Sequence, residues 1–245
     1  MPRMGRASTG GLCCHVLNRG NGRMRVFHDE QDYAAFVELL GEACSRVNVR
    51  VLGCCLMPNH FHLVLWPGHD GDLARWMQWL MTSHVRRYHR RYGTSGHVWQ
   101  GRFKSFPVQR REPTASERAA GAVEIGDPVL TVLRYVERNP LRANQVARAQ
   151  AWPFSSLRWW HEPTCRPEWV DPAWLARPDD WLAWVNRPQS EAELAGVRRS
   201  VQRGTPLGSD RWVRRIATAL GLESTLRPRG RPRKEPSPES GPPKK

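Results

Sequence analysis

The stretch Val49-Arg50-Val51-Leu52-Gly53-Cys54-Cys55-Leu56-Met57-Pro58-Asn59-His60-Phe61-His62-Leu63-Val64-Leu65-Trp66 decides the architecture of this 245-residue chain. Residues 49–57 are apolar almost without a break, the pattern of a buried strand. Pro58-Asn59 is punctuation, and residues 60–66 alternate as a second strand. Side chains at i and i+2 of a strand share a face, with Cα atoms roughly 6.6 Å apart. His60 and His62 therefore point the same way, while Phe61, Leu63 and Leu65 face a core. Two imidazoles so spaced can converge on one metal ion. The competing reading is two polar residues on the solvent face of a half-exposed strand.

Outward from this stretch, residues 12–17 form a short apolar strand closed by the turn cluster Asn18-Arg19-Gly20-Asn21-Gly22. From Asp29, a plausible N-cap, the apolar residues Phe36, Val37, Leu40, Cys44 and Val47 recur at helical spacing. Residues 70–92 are a long helix carrying Leu73, Trp76, Met77, Leu80, Met81 and His84 on one side, stopped by Gly93. Residues 96–108 read as another strand and 110–128 as a polar, Ala/Gly-rich connection. Val129, Val132, Leu133 and Val136 mark a further helix, which Pro140 is expected to end near Asn139. The order β-α-β-β-α-β-α predicts an α+β fold with helices packed on one face of an antiparallel sheet.

Beyond about residue 150 the texture changes. Eight of the twelve tryptophans lie there among prolines and short segments, ending in a helix-like stretch over 209–222. This predicts a module appended to the core. Past Leu226 the Arg, Pro, Gly, Lys, Ser and Glu composition is expected to be disordered.

Charge narrows the partner. The chain carries +15, of which the seven basic and two acidic residues over 227–245 supply only +5. A basic body argues for a polyanion. The longest apolar run, residues 51–57, is far below the ~18 residues of a membrane span, and the basic N-terminus lacks the apolar stretch of a signal peptide. Six cysteines, two pairs of them adjacent (Cys13-Cys14 and Cys54-Cys55), fit neither a disulfide framework nor a CxxC zinc site. They are expected in the core of a reduced, cytoplasmic protein.

Two further patterns carry chemistry. Tyr135 and Asn139 lie at i and i+4 on one helix face, where a phenol and a carboxamide are neighbours; a tyrosine there can equally be an amphipathic rim residue. Gly96-His97-Val98-Trp99-Gln100-Gly101-Arg102-Phe103-Lys104-Ser105 interleaves aromatic rings with cations. That grammar suits single-strand binding, with bases stacked on Trp99 and Phe103 and phosphates on Arg102 and Lys104; a cationic edge strand is the alternative. The basic run over 84–91 reads as a solvated or phosphate-facing helix surface.

Met57-Pro58-Asn59-His60-Phe61-His62-Leu63-Val64 resembles the HUH motif of the single-tyrosine bacterial transposases, and most of all the REP-associated tyrosine transposases. Four more stretches resemble that branch in order: His15-Val16-Leu17-Asn18-Arg19-Gly20-Asn21, Trp99-Gln100-Gly101-Arg102-Phe103-Lys104-Ser105, Arg134-Tyr135-Val136-Glu137-Arg138-Asn139-Pro140-Leu141-Arg142-Ala143, and Trp152-Pro153-Phe154-Ser155-Ser156. The resemblance covers about residues 10–160 and implies a ferredoxin-like HUH core.

By that resemblance, residues 1–160 form the catalytic domain, 161–226 a Trp-rich helical module and 227–245 a disordered basic tail. His60, His62 and Asn139 are implied as ligands of Mg²⁺ or Mn²⁺, and Tyr135 as the nucleophile that leaves a 5′-phosphotyrosine and a free 3′-OH. The DNA contacts expected are Arg19, Trp99, Arg102, Phe103, Lys104 and Arg142, with Arg229 and Arg231 in a segment that resembles an AT-hook. The implied partner is single-stranded DNA bearing hairpins, handled by a monomer or a homodimer in a nucleoid-associated setting. Two departures stand out: the connection over 110–128 is long, and Asn144 occupies a position where glycine is usual. A non-catalytic hairpin-binding protein of the same fold is the main competing reading, and an RNA-binding basic protein the third.

Overall fold

The computed structural model describes residues 9–110 and 127–227. Most of the 110–128 connection and the tail with Arg229 and Arg231 lie outside the described residues. Strands β1 (Cys13–Arg19), β2 (Val49–Met57), β3 (His60–Pro67) and β4 (Lys104–Val108) form one antiparallel sheet in the order β2-β3-β1-β4. Helix α1 (Glu30–Arg46) joins β1 to β2, and α2 (Asp72–Tyr92) joins β3 to β4. This is the α+β, ferredoxin-like succession that the sequence predicts.

Local chemistry sets the boundaries. The Asp29 carboxylate caps α1 by accepting the Asp32 N–H at 3.1 Å. Helix α2 begins at Asp72, two residues later than expected, because Gly71 turns the chain with φ 83°, and Gly93 ends it with φ 61°. Strand β1 runs on through Asn18 and Arg19, which pair with Phe61 and His60 of β3. Strand β4 is shorter than the expected 96–108. Gly96 and Gly101 adopt φ 93° and 62°, and the intervening chain meets β1's end through an isolated bridge between Gly20 and Trp99 and a hydrogen bond from Asn18 Nδ2 to Gly101 O, with no continuous ladder.

Alternation along β3 divides the core in two. Phe61, Leu63 and Leu65 meet Phe36 and Leu40 of α1 and Trp76 and Leu80 of α2 on one face. On the other, Cys13, Cys55, Val64 and Phe106 meet Val129, Val132, Leu133 and Val136 of α3 (Pro128–Glu137). The one-sided arrangement thus holds for α1 and α2, while α3 covers the opposite face. It packs closely enough that a Cβ on Gly53 would stand 2.2 Å from the Leu133 side chain.

Pro140 does not end the helical path. After a single turn residue, Arg138, whose backbone stays in the right-handed helical region (φ −81°, ψ −8°), the chain continues as α4 (Asn139–Arg142). Proline in a first turn removes an N–H that has no helical partner there anyway. Asn144 takes the left-handed backbone, φ 53°, that the departure from glycine requires.

Helices α5 (Ser156–His161), α6 (Trp181–Asn186), α7 (Glu191–Arg203) and α8 (Asp210–Ala219) follow. Trp181, Trp184 and Val185 of α6 and Leu194 and Val197 of α7 share the core with α3. Leu207 pairs with the edge strand β4, donating to Pro107 O at 2.9 Å and accepting from Gln109 N at 2.8 Å, which shields that edge. Four cysteines are buried as expected, whereas Cys165 is exposed, in a short turn after α5. Among the described residues no helix is long and apolar enough to cross a membrane.

Candidate active site

His60 and His62 project from β3 toward α3, with ring centroids 5.1 Å apart and planes at 88°. Asn59 orients the first ring. Its Nδ2 donates to Arg23 O at 3.1 Å, which turns Oδ1 toward His60 Nδ1 at 2.7 Å. A carboxamide oxygen only accepts, so His60 Nδ1 carries the proton and Nε2 keeps a bare lone pair. Burial, then the charges of Arg19 and Arg142, lower the His60 pKa to about 4.

The second ring has a partner that sequence reasoning missed. His15, on β1 and wholly buried, places Nε2 2.9 Å from His62 Nδ1, with the rings stacked at 5.0 Å. Burial lowers the His15 pKa to about 3. Burial first, then His15, His60, Arg142 and Arg19, hold His62 well below its ordinary value. Both rings of the pair are therefore neutral at pH 7, and one of the two facing nitrogens carries the shared proton. If His62 donates, its Nε2 is free to coordinate and the proton of His15 sits on Nδ1, which is buried without a partner. The register of β1 on β3 brings His15 there, since it sets odd positions of β1 on the same face as even positions of β3.

Tyr135 reaches the same place from α3. Its ring lies 5.9 Å from that of His62 and 6.2 Å from that of His15, and it is 8% exposed. The Arg142 guanidinium stacks on it, 4.1 Å from the ring centroid. Asn139 is buried at the start of α4. Arg19 lies exposed at the end of β1, directly across from His60. The other tyrosines are engaged elsewhere. Tyr92 donates to Asp32 at 2.6 Å, Tyr88 lies 3.2 Å from His28 Nε2, and Tyr33 stacks on Phe154 at 4.3 Å.

The stacking platform needs correction. Trp99 and Phe103 are 4% and 7% exposed and belong to the core under α1 and α2. Trp99 packs against Phe61, Phe36 and Phe27, and its Nε1 donates to His84 Nδ1 at 3.3 Å. Its ring faces are thus spent on packing and are not offered to bases. Arg102 and Lys104, between and beside them, are exposed.

Charged residues flanking Tyr135 turn away from it to hold α3 in place. Arg134 donates to Trp184 O at 3.0 Å and to Glu193 Oε1 at 2.9 Å. Arg138 donates to Val185 O and Asn186 O. Glu137, wholly buried, accepts from Ser156 Oγ at 2.6 Å, Arg177 Nη2 at 2.7 Å and Trp181 Nε1 at 2.7 Å.

The histidine pair fits a divalent cation in that both rings are neutral and both have Nδ1 engaged, as metal-bound imidazoles do. Among the described residues no group of three or more His, Cys, Asp or Glu is arranged to hold a metal. Any ion here would complete its shell with carboxamide, phosphate or water oxygens, the ligands Mg²⁺ and Mn²⁺ accept.

Comparison with curated proteins gave no match. Among solved structures, the chain is similar to one described as a REP-associated tyrosine transposase bound to a REP hairpin. The identity is 15% and the TM-score 0.49, over 78% of this chain and 93% of that one. It is also similar to a protein of Deinococcus radiodurans R1 described as a transposase, at 17% identity and a TM-score of 0.34, over 49% of this chain and 92% of that one. Likenesses of this size carry no argument about what the present chain binds. The family described as "Transposase IS200 like" matches residues 8–118, a segment that holds the whole sheet, α1, α2 and the three histidines and stops short of Tyr135. Over that segment the chain is similar to the IS200-like transposases.

Proposed function

We propose that this protein is a tyrosine transposase of the REP-associated kind, a metal-dependent enzyme that cleaves and rejoins single-stranded DNA beside hairpins. The observation that carries this reading is the Tyr135 ring 5.9 Å from His62, with the Nδ1 atoms of both His60 and His62 hydrogen-bonded, an arrangement that leaves both Nε2 atoms to coordinate when His62 donates to His15. His60 and His62 would hold Mg²⁺ or Mn²⁺, with Asn139 as third ligand. The bound ion would polarise the scissile phosphate and offset the charge that develops on it.

Tyr135 acts as the nucleophile. Its phenol oxygen forms a bond to phosphorus and gives up its proton, the P–O3′ bond breaks, and the 3′ oxygen leaves as a hydroxyl after taking a proton. The DNA 5′ phosphate is then esterified to Tyr135. Because the phosphotyrosyl bond retains the energy of the cut strand, a second 3′-OH reverses the step without a nucleotide cofactor. Exposed Arg19, Arg102 and Lys104 supply phosphate contacts that position the strand.

The test is a labelled single-stranded hairpin incubated with the full chain and Mn²⁺ or Mg²⁺, then run on a denaturing protein gel. A covalent adduct is expected that disappears with EDTA and in His60→Ala. Binding without an adduct in either metal would leave a hairpin-binding protein instead.

His15 has its own test as a positioning residue. With leucine there, His62 Nδ1 loses its partner, and Mn²⁺ affinity measured by titration calorimetry should fall about 10–100-fold. Unchanged affinity would remove His15 from the site.

A further inference from the structure

Arginines 134, 138 and 142 recur every four residues on the chain that carries Tyr135, yet only two are bound into the fold. Arg134 and Arg138 are occupied by carbonyls and by Glu193. The Arg142 guanidinium carbon lies over the Tyr135 ring, 4.1 Å from its centroid, and Nη1 is buried without a hydrogen-bond partner. Among the described residues no carboxylate pairs with it. A half-buried guanidinium with an unused N–H is costly unless an anion arrives to satisfy it. The ring it covers stands 5.9 Å from that of His62 and 6.2 Å from that of His15. The unspent donor therefore belongs to the space the tyrosine and the histidine pair share.

We propose that Arg142 is the oxyanion receptor of the site: stacked on Tyr135, it donates through Nη1 to a non-bridging oxygen of the phosphate that Tyr135 attacks, and afterwards of the phosphotyrosine. This rests on the enzymatic reading above. One residue then does two things that a lysine cannot do together. The planar face steadies the phenol ring, and the edge presents a directional donor to the phosphate.

The chain has only four tyrosines, so ¹³C-tyrosine labelling gives four ring signals, with Tyr135 assigned from Tyr135→Phe. Inorganic phosphate is titrated into wild type, Arg142→Gln and Arg142→Lys, and adduct formation and hairpin Kd are measured on the same proteins. Phosphate should move the Tyr135 signal in wild type and leave it in place in Arg142→Gln. Adduct formation should fall about 100-fold or more in Arg142→Gln, the usual cost of losing one oxyanion donor, and less in Arg142→Lys, with hairpin Kd weakened far less than adduct formation in both. The melting temperature of Arg142→Gln should change little, because among the described residues Arg142 has no ion-pair partner and gives up only its contact with the Tyr135 ring. A phosphate-induced shift that persists in Arg142→Gln, or an undiminished adduct rate there, would overturn the proposal. Should Arg142→Gln fail to fold, the same two readings on Arg142→Met, which keeps the length and loses the charge, decide it. If wild type forms no adduct, the enzymatic reading fails, while the phosphate titration still decides whether Arg142 is an anion site.

Discussion

Glutamine in place of Glu137 is expected to destabilise the protein by about 3–5 kcal/mol, because breaking a buried ion pair from one side leaves the other charge uncompensated. The Glu137 side chain is 0% exposed and that of Arg177 4%. Arg177 also stacks on Trp160, 3.9 Å from its ring centroid, with Nε and Nη1 lacking partners, so the carboxylate is its main compensation. The loss would spread. Ser156 Oγ donates to Glu137 while accepting the Cys54 N–H at 3.0 Å, which ties β2, α3 and α5 into one network. Replacing both partners together, as Glu137→Gln with Arg177→Met, should cost less than Glu137→Gln alone. Guanidinium unfolding of the two single variants and the double variant checks this; a Glu137→Gln midpoint equal to wild type would show that the pair does not anchor α3.

Phenylalanine in place of Tyr135 is expected to lower strand cleavage by at least about 10⁴-fold, the scale seen when a nucleophile is removed from a working site. The ring should remain packed against His62, His15 and Arg142, so hairpin affinity and melting temperature should match wild type. Cleavage that survived the substitution would move the nucleophile elsewhere. Tyr88 and Tyr92 are the remaining candidates on α2, although Tyr92 is hydrogen-bonded to Asp32.

The fold was legible in the sequence wherever periodicity alone decides it. The alternation over residues 60–66 put His60 and His62 on one face and Phe61, Leu63 and Leu65 on the other, and Asp29 and Gly93 marked helix ends by cap chemistry. What composition could not show is which partner each face meets. The aromatic-cation interleave of Trp99 and Phe103 reads as a nucleic-acid platform by type. The rings are buried because Gly96 and Gly101 bend the chain off the sheet and tuck them under α1 and α2, a tertiary fact with no local signature. The same holds for Arg134, Glu137 and Arg138. Their partners Glu193, Arg177 and the carbonyls of Val185 and Asn186 lie 40–59 residues away, so the run around Tyr135 reads as one motif although half of it is anchoring. His15 was hidden for a related reason: only the register of β1 on β3 brings it to His62.

The residue to which the DNA becomes attached can be read directly. Adduct formed with a labelled hairpin in Mn²⁺ is digested with nuclease and trypsin, and the nucleotide-bearing peptide is sequenced by mass spectrometry. The label is expected on the peptide Tyr135-Val136-Glu137-Arg138, on the tyrosine. A label on a peptide containing Tyr88 or Tyr92, or on no tyrosine at all, would contradict it.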